Sequence, residues 1–352
     1  MSPAVPPKLT LVVPGLFGAT GGFRNAAAGV PGPRFPALEK FLARADRHPQ
    51  ATRGAEARVF TLFGVELPAG TDAPVAAVTR VLDLGVIDNG WWLRADPVHL
   101  VPDRDRLVLH DSRSFELAQD EAIRLAAEIG ETYAADGWTL KAPRPDRWYL
   151  KPPREPRMVT TPLPDVVGRD IHPHLPHGRD GKAWHTLLNE LQILLHTARV
   201  NSEREQAGKP PINSLWFWGG GRLPKVPPAP WSRVWSLEPV SLAFARLCQI
   251  PAHAPPDSFA DWQRQTPTPA GAHLLVLDKT RAAVQYGDHA RWQEDIGRIE
   301  RNWIAPLLAA LTNRQLQAVT LLDESGPSYE LTPRSARRWW RWGRRAAHWA
   351  HA

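Results

Sequence analysis

The sequence predicts an α/β fold: a core built on a mostly parallel sheet with helices on both faces, carrying an inserted α+β unit. Two apolar runs carry the first half of that reading. Leu9 to Val13 reads as a buried strand leading into a loop, and Ile212 to Trp218, short and bounded by breakers, reads as a central strand. The third observation is the change of pattern between residues 90 and 208, where a hairpin, an amphipathic helix and further short strands follow one another. The expected organisation is therefore a split α/β core of residues 1–89 and 209–330, an inserted α+β unit of residues 90–208, and a tail of residues 331–352.

The elements follow in chain order. After the Leu9 strand, Gly15 to Pro36 carries six glycines and no periodicity, hence a loop. Phe35 to Ala45 reads as a helix, Arg58 to Gly64 as a strand, and Asp72 to Leu84 as a helix capped by Thr71 or Asp72. Trp91 to Leu109 alternates apolar and polar residues in two runs joined by Pro102-Asp103-Arg104-Asp105, the pattern of a hairpin. Glu116 to Asp136 places Leu117, Ile123, Leu125, Ala126, Ile129 and Tyr133 at helical spacing. Trp138, Trp148 to Leu150 and Met158 to Thr160 suggest further strands, whereas the proline-rich stretches 143–156 and 224–230 read as loops.

Composition narrows the class. A chain of 352 residues that is 43% hydrophobic buries a sizeable core and is not broadly disordered. Its apolar runs fall short of the ~20 residues that span a bilayer, and its first residues lack the apolar region of a secretory signal, so a cytoplasmic location is expected. The single cysteine, Cys248, excludes a disulfide framework and is expected to be a buried core thiol. A net charge of +7 favours an acidic partner.

Residues 200 to 224 are the densest signal. A polar helix tail ends at Gly208, Pro210 and Pro211 stop it, the Ile212 strand follows, and Gly219, Gly220 and Gly221 lead to Arg222. The glycines either make a plain strand-to-loop turn or let backbone N–H groups approach a ligand, with Arg222 placed to meet an anion. Without a following Lys-Ser/Thr they are not a P-loop.

Asn201, Arg204, Gly208, Pro210, Pro211, Asn213, Gly219, Gly221 and Pro224 match the N-x-x-R…G-x-P-P-A-N…G-x-G-x-x-P pattern of archaeal-type, cofactor-independent phosphoglycerate mutases, members of the alkaline phosphatase superfamily. The chain also resembles the bacterial RpfE-type proteins, a mutase-related group, in the blocks 90–100, 168–178 and 184–196. The resemblance implies an alkaline-phosphatase-like core and, for the mutases, a bimetallic phosphoryl-transfer site. Here the residues of that site are missing. The P-D-G metal loop reads Val13-Pro14-Gly15, the nucleophilic serine position falls on Ala55, and the D-E-A-G-H-D-G-D segment keeps Asp278 but has Ala282 or a neighbour in place of its histidine. T-x-D-H becomes Leu321-Leu322-Asp323-Glu324, and the last histidine segment becomes Ser335-Ala336-Arg337-Arg338-Trp339. Two cations about 4 Å apart need several carboxylate and imidazole ligands. The expectation is a catalytically degenerate, regulatory or binding protein with no cofactor beyond residual divalent metal. The alternative is an active phosphatase or mutase with a rebuilt site.

Two further groups could carry binding. Asp165, Asp170, His172, His174, His177, Asp180 and His185 cluster within 21 residues, as a metal site, a polar ligand pocket or an exposed histidine loop. Asn189, Gln192 and His196 on the next helix either face that pocket or cap the core. The candidate ligand-binding set, for a phosphorylated small molecule, is Arg94, Asp96, His99, Asp170, His172, His174, Arg204, Asn213 and Arg222, convergent if the pocket exists. The tail from Arg334 holds six arginines and four tryptophans without an acid. Arg337, Arg338, Trp339, Trp340, Arg341, Trp342, Arg344 and Arg345 suit a nucleic-acid, membrane or protein partner, or an amphipathic helix whose tryptophans dock on the body.

Overall fold

The computed structural model describes residues 6–18, 24–25, 30–31, 33–52, 54–266 and 270–341. They form two compact units, residues 1–64 with 226–352, and residues 65–225. The first unit is built on a seven-stranded sheet in the order Ala252–His253, Trp231–Trp235, Ala272–Val276, Lys8–Val12, Ala318–Leu322, Ser328–Leu331, Asp46–His48. The first five strands run parallel, Ser328–Leu331 runs opposite to them, and Asp46–His48 pairs antiparallel with it. Leu11 and Val12 point to opposite faces, yet both are buried, as are Leu321 and Leu322, so both faces of the sheet are covered. The core cluster joins Leu9, Leu11, Leu275 and Val319 of the sheet to Phe41, Trp292, Ile296 and Leu307 of the helices.

The second unit centres on an antiparallel sheet in the order Ser214–Gly221, Trp92–Asp103, Arg147–Lys151, Thr139–Arg144, with Arg106–His110 pairing to the far end of Trp92–Asp103. The Gln119–Tyr133 and Gly181–Thr197 helices cover one face through Leu125, Ile129, Leu188 and Leu191 against Leu93, Trp148 and Phe217. The Val75–Leu84 helix covers the other, where Ala76 meets Trp92 and Tyr149.

Several sequence expectations need correcting. Arg58 to Gly64 is not a strand; Ala55–Leu62 is a helix, because Ala55, Val59 and Phe63 recur every four residues and are all buried. The Ile212 run is not a central strand of the core: Ser214–Gly221 pairs with Trp92–Asp103 at the end of the second sheet. For that reason residues 209–225, and residues 65–89 with the Val75–Leu84 helix, fall in the second unit rather than the first. That helix starts after Pro74, and the expected cap Asp72 instead accepts hydrogen bonds from the N–H and hydroxyl of Thr160. Pro143 lies within the Thr139–Arg144 strand, at the end of the sheet order and where the pairing register shifts, both places where a sheet tolerates proline. Cys248 ends the Pro239–Leu247 helix half-buried rather than in the core, and burial still raises its thiol pKa.

Candidate functional site

Parallel strands deliver their following loops to one edge, and in open α/β sheets ligands bind in the crevice at that carboxyl edge. Here the loops after Lys8–Val12, Ala272–Val276 and Ala318–Leu322 bring Gly15, Asp278 and Asp323 there. Gly15 has φ +79°, and a Cβ on it would stand 2.8 Å from Val284 Cγ2, so both its conformation and its surroundings demand glycine. The Gly15 and Leu16 N–H groups donate to Asp323 Oδ1 at 3.0 and 3.2 Å, and the Glu324 N–H adds a third bond at 2.8 Å. Gly15 N–H also donates to Glu324 Oε2. Burial, reinforced by the neighbouring Glu324 carboxyl, holds Asp323 well above the ordinary carboxylate range despite those donors.

Arg58 lies beside this pair. Its side chain is buried, Nη2 donates to the Gly326 carbonyl at 2.8 Å and to Thr52 O at 3.3 Å, and Nε and Nη1 have no hydrogen-bond partner. Burial lowers its pKa, while the Asp323 and Glu324 charges act to raise it. The Ala55–Leu62 helix that carries it starts at Gly54, with no side-chain cap, and its first residue is the methyl-bearing Ala55. Glu56 on the next position pairs with Arg281 at 2.7 Å. Around Arg58 the edge thus sets Asp323 and Glu324 against backbone amides and Glu56 against Arg281. Among the described residues, no group of three or more His, Cys, Asp or Glu side chains could hold a metal ion. The donor set does not fit the two cations of a mutase-type site, because Gly15, Ala55 and Ala282 contribute no side-chain ligand atom and one Asp323 oxygen, Oδ1, already accepts three N–H groups.

The phosphate-site candidates of the second unit are differently placed. Arg94 and Asp96 share a face of Trp92–Asp103 and bind each other, Nη2 to Oδ2 at 2.7 Å, with both side chains almost fully buried. Trp218 Nε1 and the Trp148 N–H complete the Asp96 carboxylate at 2.8 and 3.1 Å, and Arg94 packs over the Trp218 ring at 5.1 Å. His99 lies on the opposite face of the strand, five residues on, with Nδ1 bonded to the Pro211 carbonyl and its pKa lowered by burial. Asp170 binds the Leu107 N–H and His172 Nδ1 at 3.1 and 2.7 Å, with His172 exposed. His174 is half-buried, and burial lowers its pKa. The expected convergence of Arg94, His99, Asp170, His172 and His174 on one pocket is corrected for Arg94: alternation along the strand parts it from His99, whereas Asp170 is tied to the Arg106–His110 strand, which pairs with the His99 end of Trp92–Asp103. Asn189 and His196 are exposed on their helix.

The residues of the 200–224 pattern are spent on architecture. Asn201 clamps Ile212 through its N–H and carbonyl and donates to Leu195 O. Arg204, buried, donates to Pro210 O and to Glu121 at 2.9 Å each. Asn213 bonds both the N–H and the carbonyl of Leu100. A Cβ on Gly220 would meet the Trp91 ring at 2.5 Å and one on Gly221 the Pro74 Cβ at 2.6 Å, so these glycines serve close packing. They also border a cavity of about 340 Å³ with Asp72, Trp91 and the exposed Arg222, whose guanidinium contacts Glu155 and Asn89 O.

In the tail, Arg338 binds Asp46 and Arg44 O, Arg341 binds Ala45 O, and Ser335 closes a turn with Thr332. Trp339 and Trp340 are 72% and 59% exposed and meet edge to face. The docked-tryptophan expectation is thus reversed for these two: arginines hold the body and the indoles face solvent. Trp342, Arg344 and Arg345 lie outside the described residues. Arg58 and Glu324 were not among the sequence candidates. The departure at Leu321-Leu322-Asp323-Glu324 pointed to Glu324, but nothing local to Arg58 does.

No protein-family profile matches the chain. A probable 2,3-bisphosphoglycerate-independent phosphoglycerate mutase of Geobacter sulfurreducens is 28% identical over 155 residues, 44% of this chain and 38% of that protein. The corresponding mutase of Methanosarcina mazei is 40% identical over 65 residues, 18% of this chain and 16% of its own length. The chain is similar to these mutases. The matched segments span less than half of this chain and of each relative. The PH0037 protein from Pyrococcus horikoshii is similar in fold, with a TM-score of 0.54 and 15% identity over 98% of this chain and 92% of that one. The α/β class with a mostly parallel sheet is therefore shown both by the strands themselves and by this neighbour. Among the described residues, no helix is long and apolar enough to cross a membrane.

Proposed function

We propose that this chain is a binding or regulatory protein of the RpfE type, built on a mutase-like fold that no longer transfers phosphoryl groups, and located in the cytoplasm. One observation carries the reading: at the carboxyl edge, Asp323 Oδ1 accepts the Gly15, Leu16 and Glu324 N–H groups and the carboxyl is neighboured by Arg58, while Ala55 heads the adjoining helix. Phosphoryl transfer needs an activated nucleophile and cations placed on the transferred group. A methyl group cannot attack phosphorus, and the Arg58 guanidinium, held to Gly326 and Thr52 through Nη2, can bind an anion through its free Nε and Nη1 but supplies no nucleophile. The start of the tail supports a partner-binding role, since Trp339 and Trp340 stand in solvent beside Arg337. Purified protein supplied with Mn²⁺, Mg²⁺ or Zn²⁺ should show no 3-phosphoglycerate to 2-phosphoglycerate conversion and no hydrolysis of p-nitrophenyl phosphate. Metal-dependent turnover lost in Asp323→Asn would establish a rebuilt enzyme instead.

A further inference from the structure

A cavity of about 260 Å³ opens at the same carboxyl edge, among residues the proposed function does not use. It is enclosed by the segments that follow the Trp231–Trp235, Ala252–His253 and Ala272–Val276 strands and by the helical stretch from His289 to Thr312. Leu237, Pro256, Ile299 and Trp303 supply apolar wall, and Leu237 stays 65% exposed although burial would favour it by about 1.5–3 kcal/mol. The wall contributed by Glu300–Ile304 is a widened helical turn, in which the Ala305 N–H reaches back five residues to Glu300 O. Pro306 follows and has no N–H for the Asn302 carbonyl four residues earlier, a sufficient cause for the widening. Such turns recur at functional sites.

The charges around the cavity cancel in pairs except one. Lys279 binds Asp257 at 3.3 Å, Arg298 binds Glu294, and Asp295 binds Arg291 at 3.1 Å. Asp278, half-buried at the head of the Lys279–Gln285 helix, does not cap it and makes no side-chain hydrogen bond or ion pair with any described residue. An apolar chamber with one unmatched carboxylate selects a ligand of complementary form. We propose that this cavity binds a small organic monocation, an ammonium group on an aryl or branched alkyl body, with the ammonium on Asp278 and the body against Leu237, Ile299 and Trp303. An anion would face the unmatched carboxylate, since both nearby bases are already paired. A bare metal ion would find one carboxylate and no companion ligands. The volume lies near the small end of ligand pockets, roughly 300 Å³ upward, and suits a fragment-sized molecule. The proposal goes beyond the loss of phosphoryl transfer and does not depend on it.

Isothermal titration of the full chain with 2-phenylethylamine, 2-phenylethanol and 3-phenylpropionate tests it. The amine should bind saturably, with the alcohol and the carboxylate at least about tenfold weaker, the difference expected of one charge-assisted hydrogen bond. Asp278→Asn should weaken the amine on the order of 10- to 100-fold and erase its advantage over the alcohol. Because Asp278 makes no side-chain bond, that variant should melt with the wild type. Leu237→Ala should weaken all three probes while keeping the preference for the amine. Equal binding of the three probes, no saturable binding of the amine, undiminished amine binding by Asp278→Asn, or displacement of the amine by micromolar Mn²⁺ would overturn the assignment.

Discussion

The carboxyl edge of the parallel sheet and the Asn201–Asn213 block of the second unit contrast in how their polar side chains are used. In the block, Asn201 and Asn213 answer backbone groups on both of their amide ends, and Arg204 is fixed by Pro210 O and Glu121 with only Nη2 left over. At the edge, Arg58 keeps two N–H groups without partners, Glu56 Oε2 has none, and Asp323 is an acid whose burial resists ionisation. The segment most similar to the mutases in its sequence pattern is thus a structural clamp, and the edge where that pattern fails is the place with chemistry left over. A motif shared with an enzyme family need not be the part that reacts, because a buried polar network is specified residue by residue just as a site is.

The largest effect expected from this contrast lies in the second unit. Asp96→Asn leaves the Arg94 guanidinium buried without a counter-charge, and breaking such a pair costs about 3–5 kcal/mol. Urea denaturation should show that loss. A change below about 1 kcal/mol would mean that Arg94 and Asp96 are not the structural pair described.

At the edge the sign reverses. Asp323 in the folded chain holds its proton above the ordinary value of 3.8, so between that value and its raised pKa the folded state binds more protons than the unfolded one. Stability from this group is full below pH 3.8 and is lost as pH rises through the raised pKa. Asp323→Asn removes that loss and should melt a few degrees higher than wild type at pH 7, with the gap closing toward pH 4; about 1 kcal/mol corresponds to roughly 2–4 °C for a unit of this size. A variant that melts lower at pH 7 would show that Asp323 works as a needed anion.

The smallest effect belongs to the tail. Trp339→Ala should change stability by no more than about 0.5 kcal/mol, as for an exposed side chain, whereas a docked indole would cost about 2 kcal/mol or more.

The sequence disclosed the fold better than the site. The Lys8–Val12 strand, the Pro36–Arg44 helix and the Trp92–His110 hairpin stand where apolar runs and alternation put them, because each pattern is local. The Ala55–Leu62 helix was hidden because eight residues give two turns, too few to separate period 3.6 from period 2 among Val59, Phe60 and Phe63. The sheet membership of Ser214–Gly221 was hidden for another reason: an apolar strand does not announce its partner, which is fixed by Asn213 gripping Leu100 over a hundred residues away. For the same cause Arg58, which reaches Gly326 across the chain, carried no local signal.

Metal stoichiometry tests the central claim most directly. After equilibrium dialysis of the full chain against Mn²⁺ and Zn²⁺, elemental analysis should find less than one tightly bound equivalent per chain, unchanged in Asp323→Asn. Two equivalents per chain, lost together in Asp323→Asn and Asp278→Asn, would contradict the account and restore the edge as a bimetallic site.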